Sequence, residues 1–151
     1  MKTIVVSGAR SNVGKTTLAR HLCRLLPGAV HVKLGHGREK PDAGNLFYPV
    51  GTPFGEIAAG SGPAPFLVIE SNRILEEIRP DLAIFLPADD PKPSAKGARE
   101  RADYIRGEPL PCEAAEDIAR RLGVALGTAR EIARRIAGDP GDRERNTDEE
   151  S

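Results

Sequence analysis

The chain has 151 residues, of which 39% are hydrophobic, and its 22 Lys and Arg residues balance its 22 Asp and Glu residues. A chain of this length holds one well-cored domain and a small addition rather than two catalytic domains. Its hydrophobic content excludes a disordered protein. The balanced charge provides no overall attraction to nucleic acid or to an anionic membrane.

The cysteines and the apolar runs indicate the cellular compartment of the protein. Cys23 and Cys112 lie far apart without CxxC spacing, which argues against a disulfide framework and a zinc site. The apolar run Ile4–Val6 is too short for a signal peptide, and no apolar run approaches the ~18 residues of a membrane span. We therefore expect a cytoplasmic protein without a membrane partner.

Short β-branched runs alternate with segments of helical periodicity over the first two thirds of the chain. They predict, in chain order, a strand at Lys2–Ser7, a helix from Gly14 to Leu26, a strand at Val30–Leu34, a long loop over Gly35–Thr52 and a short helix at Phe54–Ala59. Next come a strand at Phe66–Ile69 ending in Glu70, a helical turn at 74–78, a strand at Leu82–Leu86, a helix at Ser94–Arg101 capped by Ser94, and a short strand at Ala102–Ile105. This alternation predicts a three-layer α/β/α fold with a mostly parallel sheet.

The C-terminal part has a different pattern, with two Arg-rich helices joined around Gly123–Gly127. We expect a nucleotide-binding domain at residues 1–108 and a helical hairpin appended to it at 109–137. The hairpin would cap the sheet or form a dimer surface. Residues 138–151 are nearly all polar, so we expect a disordered tail.

The segment between the first strand and the first helix fits the P-loop pattern, with Ala in place of its first Gly. It reads Ala9-Arg10-Ser11-Asn12-Val13-Gly14-Lys15-Thr16, and Thr17 follows. Such a loop turns backbone N–H groups toward a phosphate at the positive end of a helix dipole. Lys15 would reach the β- and γ-phosphates, the Thr16 hydroxyl would ligate Mg²⁺, and Thr17 would touch the α-phosphate. The sequence therefore predicts a P-loop NTPase fold that binds Mg²⁺-NTP through residues 9–17, with Lys15 in a catalytic role.

Glu70 ends an apolar strand, as the acidic residue of a Walker B element does. We predict that it is catalytic and holds Mg²⁺ together with Thr16, because the carboxyl ends of parallel strands face the ligand crevice. The alternative is that Glu70 only caps the helical turn that begins near Asn72.

Two further loops leave the same edge of the predicted sheet. One carries Lys33, His36, Arg38, Lys40 and Asp42 and is either a switch or substrate loop or a solvated loop. The other carries Asp89, Asp90 and Lys92. There we predict Asp90 or Asp89 as the acceptor for a guanine edge, although no Asn-Lys-x-Asp motif is present. His21 and His31 are predicted to be surface or packing residues.

The segment ARSNVGKTTL at Ala9–Leu18 resembles the P-loop of the molybdopterin-guanine dinucleotide biosynthesis protein B (MobB) family. Val32–His36, Val68–Asn72, Lys92–Ala95 and Ala102-Asp103 resemble further stretches of that family, although Ser-Asn follows Glu70 where better-known members read Gly. The resemblance implies a GTP-binding protein, often dimeric, that assists attachment of a guanine nucleotide to molybdopterin and hydrolyses GTP slowly. Its partners would be molybdopterin or a cofactor-biosynthesis protein.

Two other classes stay open from the sequence. A small-molecule kinase or an ATPase acting in another cofactor or metal-centre assembly would use the same loop, with Arg10 and Arg38 as the cations near the site. A helix-turn-helix DNA-binding regulator would place Arg130, Arg134 and Arg135 on its recognition helix. Ala129 stands there where a larger β-branched residue is usual, so we expect a helical hairpin and no nucleic-acid partner.

Overall fold

The protein is built around a parallel β-sheet with helices on both faces. The computed structural model describes residues 1–10, 13–36 and 45–138. The strands are β1 (Lys2–Gly8), β2 (Val30–Gly35), β3 (Asn45–Pro49), β4 (Phe66–Glu70), β5 (Leu82–Leu86) and β6 (Tyr104–Ile105). The α-helices are α1 (Lys15–Leu25), α2 (Phe54–Gly60), α3 (Ala95–Glu100), α4 (Ala114–Leu122) and α5 (Leu126–Ala137), and a 3-10 turn occupies Arg73–Glu76.

The first strand lies in the middle of the sheet. The strand order is β3-β2-β4-β1-β5-β6, and every neighbouring pair is parallel. The central strands β1, β4 and β5 are covered on both faces, which explains why their sequences are nearly continuous apolar runs. Since all strands run the same way, their carboxyl ends, including Gly8, Glu70 and Leu86, lie at one edge of the sheet.

Alternate residues of each strand face two separate hydrophobic clusters, one on each side of the sheet. On one side, β1, β4 and β5 pack against α1, α4 and α5. On the other side, they pack against α2, α3 and the 3-10 turn. This arrangement confirms the predicted three-layer α/β/α fold with its C-terminal helical pair.

The C-terminal hairpin packs its apolar residues into the same cluster as α1. Ile118, Ile132 and Ile136 are fully buried there. Arg121 of α4 connects the hairpin to the sheet, with its Nη1 3.2 Å from Asp103, which directly precedes β6. In the part of the chain that the structure describes, no helix is both long and apolar enough to cross a membrane.

Two local predictions are wrong. The predicted loop over Gly35–Thr52 contains β3, an edge strand whose residues are mostly half-buried and which therefore lacks the clean apolar pattern of the central strands. Ser94 lies at the N-cap of α3 but makes no capping hydrogen bond; its Oγ instead accepts a bond of 3.1 Å from Asn72 Nδ2. The predicted tail, apart from Gly138, lies outside the described residues.

Candidate functional site

The loop between β1 and α1 lies at the carboxyl edge of the sheet, in its centre. Gly14 adopts a left-handed conformation (φ 95°, ψ 14°) immediately before α1, a geometry that glycine tolerates without strain. The first turn of α1 contains no acidic residue, and no side chain among the described residues caps its N-terminus. Backbone N–H groups and the positive end of the helix dipole are therefore available to an anion at this point.

The first part of the loop is fixed to the end of β5. Ala9 is 1% exposed, its N–H donates to the carbonyl of Leu86 (2.9 Å), and its carbonyl accepts from the N–H of Lys92 (2.6 Å). Arg10 is exposed, and Val13 packs against the cluster beneath α1. Ser11 and Asn12, predicted to contact phosphate, lie outside the described residues.

The side chain of Lys15 folds back across the end of β1. A Cβ atom placed on Gly8 would lie 3.1 Å from Lys15 Cδ and 2.7 Å from Val13 Cγ2, so only glycine leaves room for this path. Burial lowers the pKa of the Lys15 ammonium, the Glu70 carboxylate raises it, and the charges of Lys92 and Lys33 lower it, with a net fall below 10.5. A phosphate at this position would favour the charged form of Lys15.

Thr16 and His31 hold the two oxygens of the Glu70 carboxylate. Thr16 Oγ1 donates to Glu70 Oε1 (2.7 Å), and His31 Nε2 lies 2.5 Å from Glu70 Oε2. Glu70 is 2% exposed and His31 4%. The structure thus connects α1, β4 and β2 through one buried carboxylate.

The Glu70 carboxyl is ionised at neutral pH. Burial by itself raises its pKa, but the hydrogen bonds from His31 and Thr16 and the electrostatic attraction of His31 and Lys33 outweigh burial. The pKa therefore lies below its ordinary value of 4.5. A buried carboxylate held in the charged form is suited to contact a cation or a cation-bound water.

Glu70 does not cap the turn that follows β4. The N–H of Ile74 bonds instead to Ser71 Oγ at 3.2 Å. The alternative interpretation of Glu70 as a helix cap is therefore not supported by its contacts, which are made to Thr16 and His31.

Asn72 attaches the exit of β4 to the start of the loop. Its Oδ1 accepts from the N–H of Gly8 (2.9 Å), and its Nδ2 donates to the carbonyl of the same residue (2.8 Å). The same Nδ2 also donates to Ser94 Oγ, which lies beyond β5. Asn72 therefore joins the ends of β4, β1 and the β5–α3 connection.

Three lysines surround this edge of the sheet. Lys33 on β2 is in register with Glu70 on β4, and Lys92 follows β5. Both act electrostatically on Lys15. Lys15, Lys33 and Lys92 therefore bring three positive charges to the end of the sheet that carries Glu70, although the whole chain is neutral.

The remaining predicted residues are placed as follows. Thr17 is half-buried in the first turn of α1. Asp89 and Asp90 are exposed beyond the end of β5, and Asp90 has a left-handed φ of 54°. His36 is exposed directly after β2. Arg38, Lys40 and Asp42 lie outside the described residues.

Sequence reasoning missed the roles of His31 and Asn72. His31 was expected at the surface or in packing; it is indeed buried, but it contacts the carboxylate that the sequence singled out. A histidine between two valines in a buried run was the only signal, and it did not reveal that β2 neighbours β4. No protein-family model, curated protein or solved structure matches the chain.

Proposed function

We propose that the chain binds a nucleoside triphosphate with Mg²⁺ in the loop at residues 9–17 and hydrolyses it slowly. The observation that carries this proposal is the convergence of Lys15 and Thr16 with Glu70 at the exit of β1. Lys15 crosses Gly8, and Thr16 donates to Glu70 at 2.7 Å. This arrangement brings a cation that can bind phosphate, a hydroxyl and an ionised carboxylate together at a helix N-terminus.

The electrostatics suit a polyphosphate. The start of α1 supplies N–H donors, while Lys15, Lys33 and Lys92 supply positive charge around them. A triphosphate spreads its charge over several oxygens, so a row of cations binds it better than one cation does. Burial is the main cause of the lowered pKa of Lys15, and repulsion by the charges of Lys92 and Lys33 adds to it. A bound anion would offset that repulsion.

Thr16 and Glu70 fit a magnesium ion. The Thr16 hydroxyl gives its one hydrogen to Glu70, which leaves its lone pairs for a cation. Among the described residues, no group of three His, Cys, Asp or Glu side chains could hold a metal. Mg²⁺ commonly takes one or two protein oxygens and completes its shell with phosphate oxygens and water. When bound, the ion would neutralise charge on the terminal phosphate.

We further propose that the nucleotide is GTP and that the protein acts in molybdenum-cofactor maturation, and the MobB resemblance supports both. Asp89 or Asp90, beyond β5, would accept from guanine N1–H and N2–H. Adenine lacks that donor pair, so ATP would bind ~tenfold to a hundredfold more weakly than GTP. Titrating both nucleotides against wild type, Asp89→Asn and Asp90→Asn tests this. ATP binding as tight as GTP binding would move the chain toward an ATPase or kinase.

Nucleotide binding itself is tested by thermal unfolding with Mg²⁺-GTP and Mg²⁺-ATP. Ligand at ~100 times its dissociation constant adds ~2.7 kcal/mol to the folded state. Lys15→Ala should remove this stabilisation and leave ligand-free unfolding nearly unchanged. Lys96→Ala, which removes an exposed lysine on α3, is the matched control and should keep it. Wild-type affinity in Lys15→Ala would refute the proposal.

Hydrolysis is tested with Glu70→Gln. We expect phosphate release to fall much more than nucleotide affinity measured without Mg²⁺, because the loop N–H groups provide most of the ground-state binding. An equal loss of both would point to a structural role for Glu70. Measuring phosphate release without any acceptor also separates an NTPase from a small-molecule kinase.

A further inference from the structure

We propose that His31 is a positioning residue, which holds the Glu70 carboxylate in the orientation that Thr16 and a bound Mg²⁺ require. The inference rests on the proposed function and extends it to β2, a strand outside the phosphate loop. It starts from the 2.5 Å contact between His31 Nε2 and Glu70 Oε2.

Strand pairing brings the two side chains together. His31 is in register with Val68 on β4, and Glu70 follows Val68 by two residues. Because side chains alternate along a strand, Val68 and Glu70 share the face of the sheet that α1 covers. His31 lies on that face as well and reaches diagonally to the carboxylate. The contact is thus specified by the register of two neighbouring strands.

The direction of the hydrogen bond follows from the charge of Glu70. Thr16 donates to Oε1 and Lys33 lies in register on the neighbouring strand, which fits a carboxylate whose two oxygens both accept. His31 Nε2 must therefore carry the hydrogen and donate it. With Thr16 on Oε1 and His31 on Oε2, each oxygen has one donor from a different element of the fold.

Loss of the His31 donor would leave a buried charged oxygen without a protein partner. Such an oxygen is costly, so the carboxylate would rotate toward another donor or admit water. Rotation moves Oε1 away from Thr16, and a water in place of His31 no longer fixes the carboxylate in one orientation. Partners that orient a metal-binding group commonly change metal affinity or activity ~10- to 100-fold when they are removed.

The test compares His31→Gln with His31→Asn. Glutamine can place an amide nitrogen near the position of Nε2, whereas asparagine is one methylene shorter and cannot reach Glu70. The measured quantity is the ratio of nucleotide dissociation constants in EDTA and in Mg²⁺, obtained by calorimetry. This ratio measures how much bound Mg²⁺ strengthens nucleotide binding, and it does not depend on catalysis. His21→Asn on α1 is the control for loss of a histidine, and His31→Leu replaces His31→Asn if the latter does not fold.

We expect His31→Asn to reduce the ratio ~10- to 100-fold and His31→Gln to keep it within about threefold of wild type. In a Glu70→Gln background, His31→Asn should have little further effect, since the residues act as a unit. An unchanged ratio in His31→Asn, or an equal loss in His31→Gln, would overturn the inference. If wild type itself binds no nucleotide, the proposed function fails instead, and the inference fails with it.

Discussion

Gly8→Ala tests the path of the Lys15 side chain directly. The added Cβ would lie 2.7 Å from Val13 Cγ2 and 3.1 Å from Lys15 Cδ. Carbon atoms pack best at ~3.5–4.0 Å, so at least one of these side chains must move. The backbone itself is not strained, since Gly8 is not among the glycines with positive φ. Any effect of the substitution therefore comes from lost space.

The size of the effect follows from overpacking, which typically costs ~1–3 kcal/mol. If Lys15 keeps its place and Val13 moves, this cost appears as a lower free energy of unfolding without ligand. If Lys15 moves aside, it appears as weaker Mg²⁺-NTP binding, ~5- to 150-fold at most. The loss in unfolding free energy without ligand and the loss in binding free energy should together amount to ~1–3 kcal/mol.

Chemical denaturation without ligand and calorimetric titration with Mg²⁺-GTP measure the two parts separately. Gly55→Ala is the control, because a Cβ there meets nothing within 4 Å. Gly55 lies in α2, so its replacement should stabilise the protein by ~0.5–1 kcal/mol. A Gly8→Ala variant as stable as wild type and with the same affinity would refute the proposed path of Lys15.

Three further predictions concern the surroundings of the site. Asn72→Ala leaves two backbone groups of the β1 end without their partner, so unfolding free energy should fall by ~1–3 kcal/mol per group lost, and nucleotide affinity should fall with it. Ile132→Ala should cost ~2–5 kcal/mol, because this side chain of α5 is fully buried, whereas Leu126→Ala, 37% exposed, should stay within ~0.5 kcal/mol. Burial raises the pKa of the Cys23 thiol to about 11, which leaves little reactive thiolate at pH 8. Iodoacetamide at that pH should therefore modify the exposed Cys112 first. Rapid labelling of Cys23 in the native protein would contradict its burial.

Most of the fold was predictable from local patterns. The apolar runs of β1, β4 and β5 identified buried parallel strands because both of their faces are covered. The strand β3 escaped detection because it is at the sheet edge and forms only through pairing with β2. A strand of that kind depends on its neighbour more than on its own residues.

In the candidate site, too, some features follow from the local sequence and others only from the tertiary structure. The order of residues along the chain determined that Lys15 and Thr16 follow a strand and open a helix, and that Glu70 ends a strand, because these features are local. Only the tertiary structure decided that β4 lies between β1 and β2, which brings Glu70 to Thr16 on one side and to His31 on the other. The physical reason is that strand order and register arise from packing two helical layers onto one sheet, and contacts between residues 39 positions apart leave no periodic trace in the sequence.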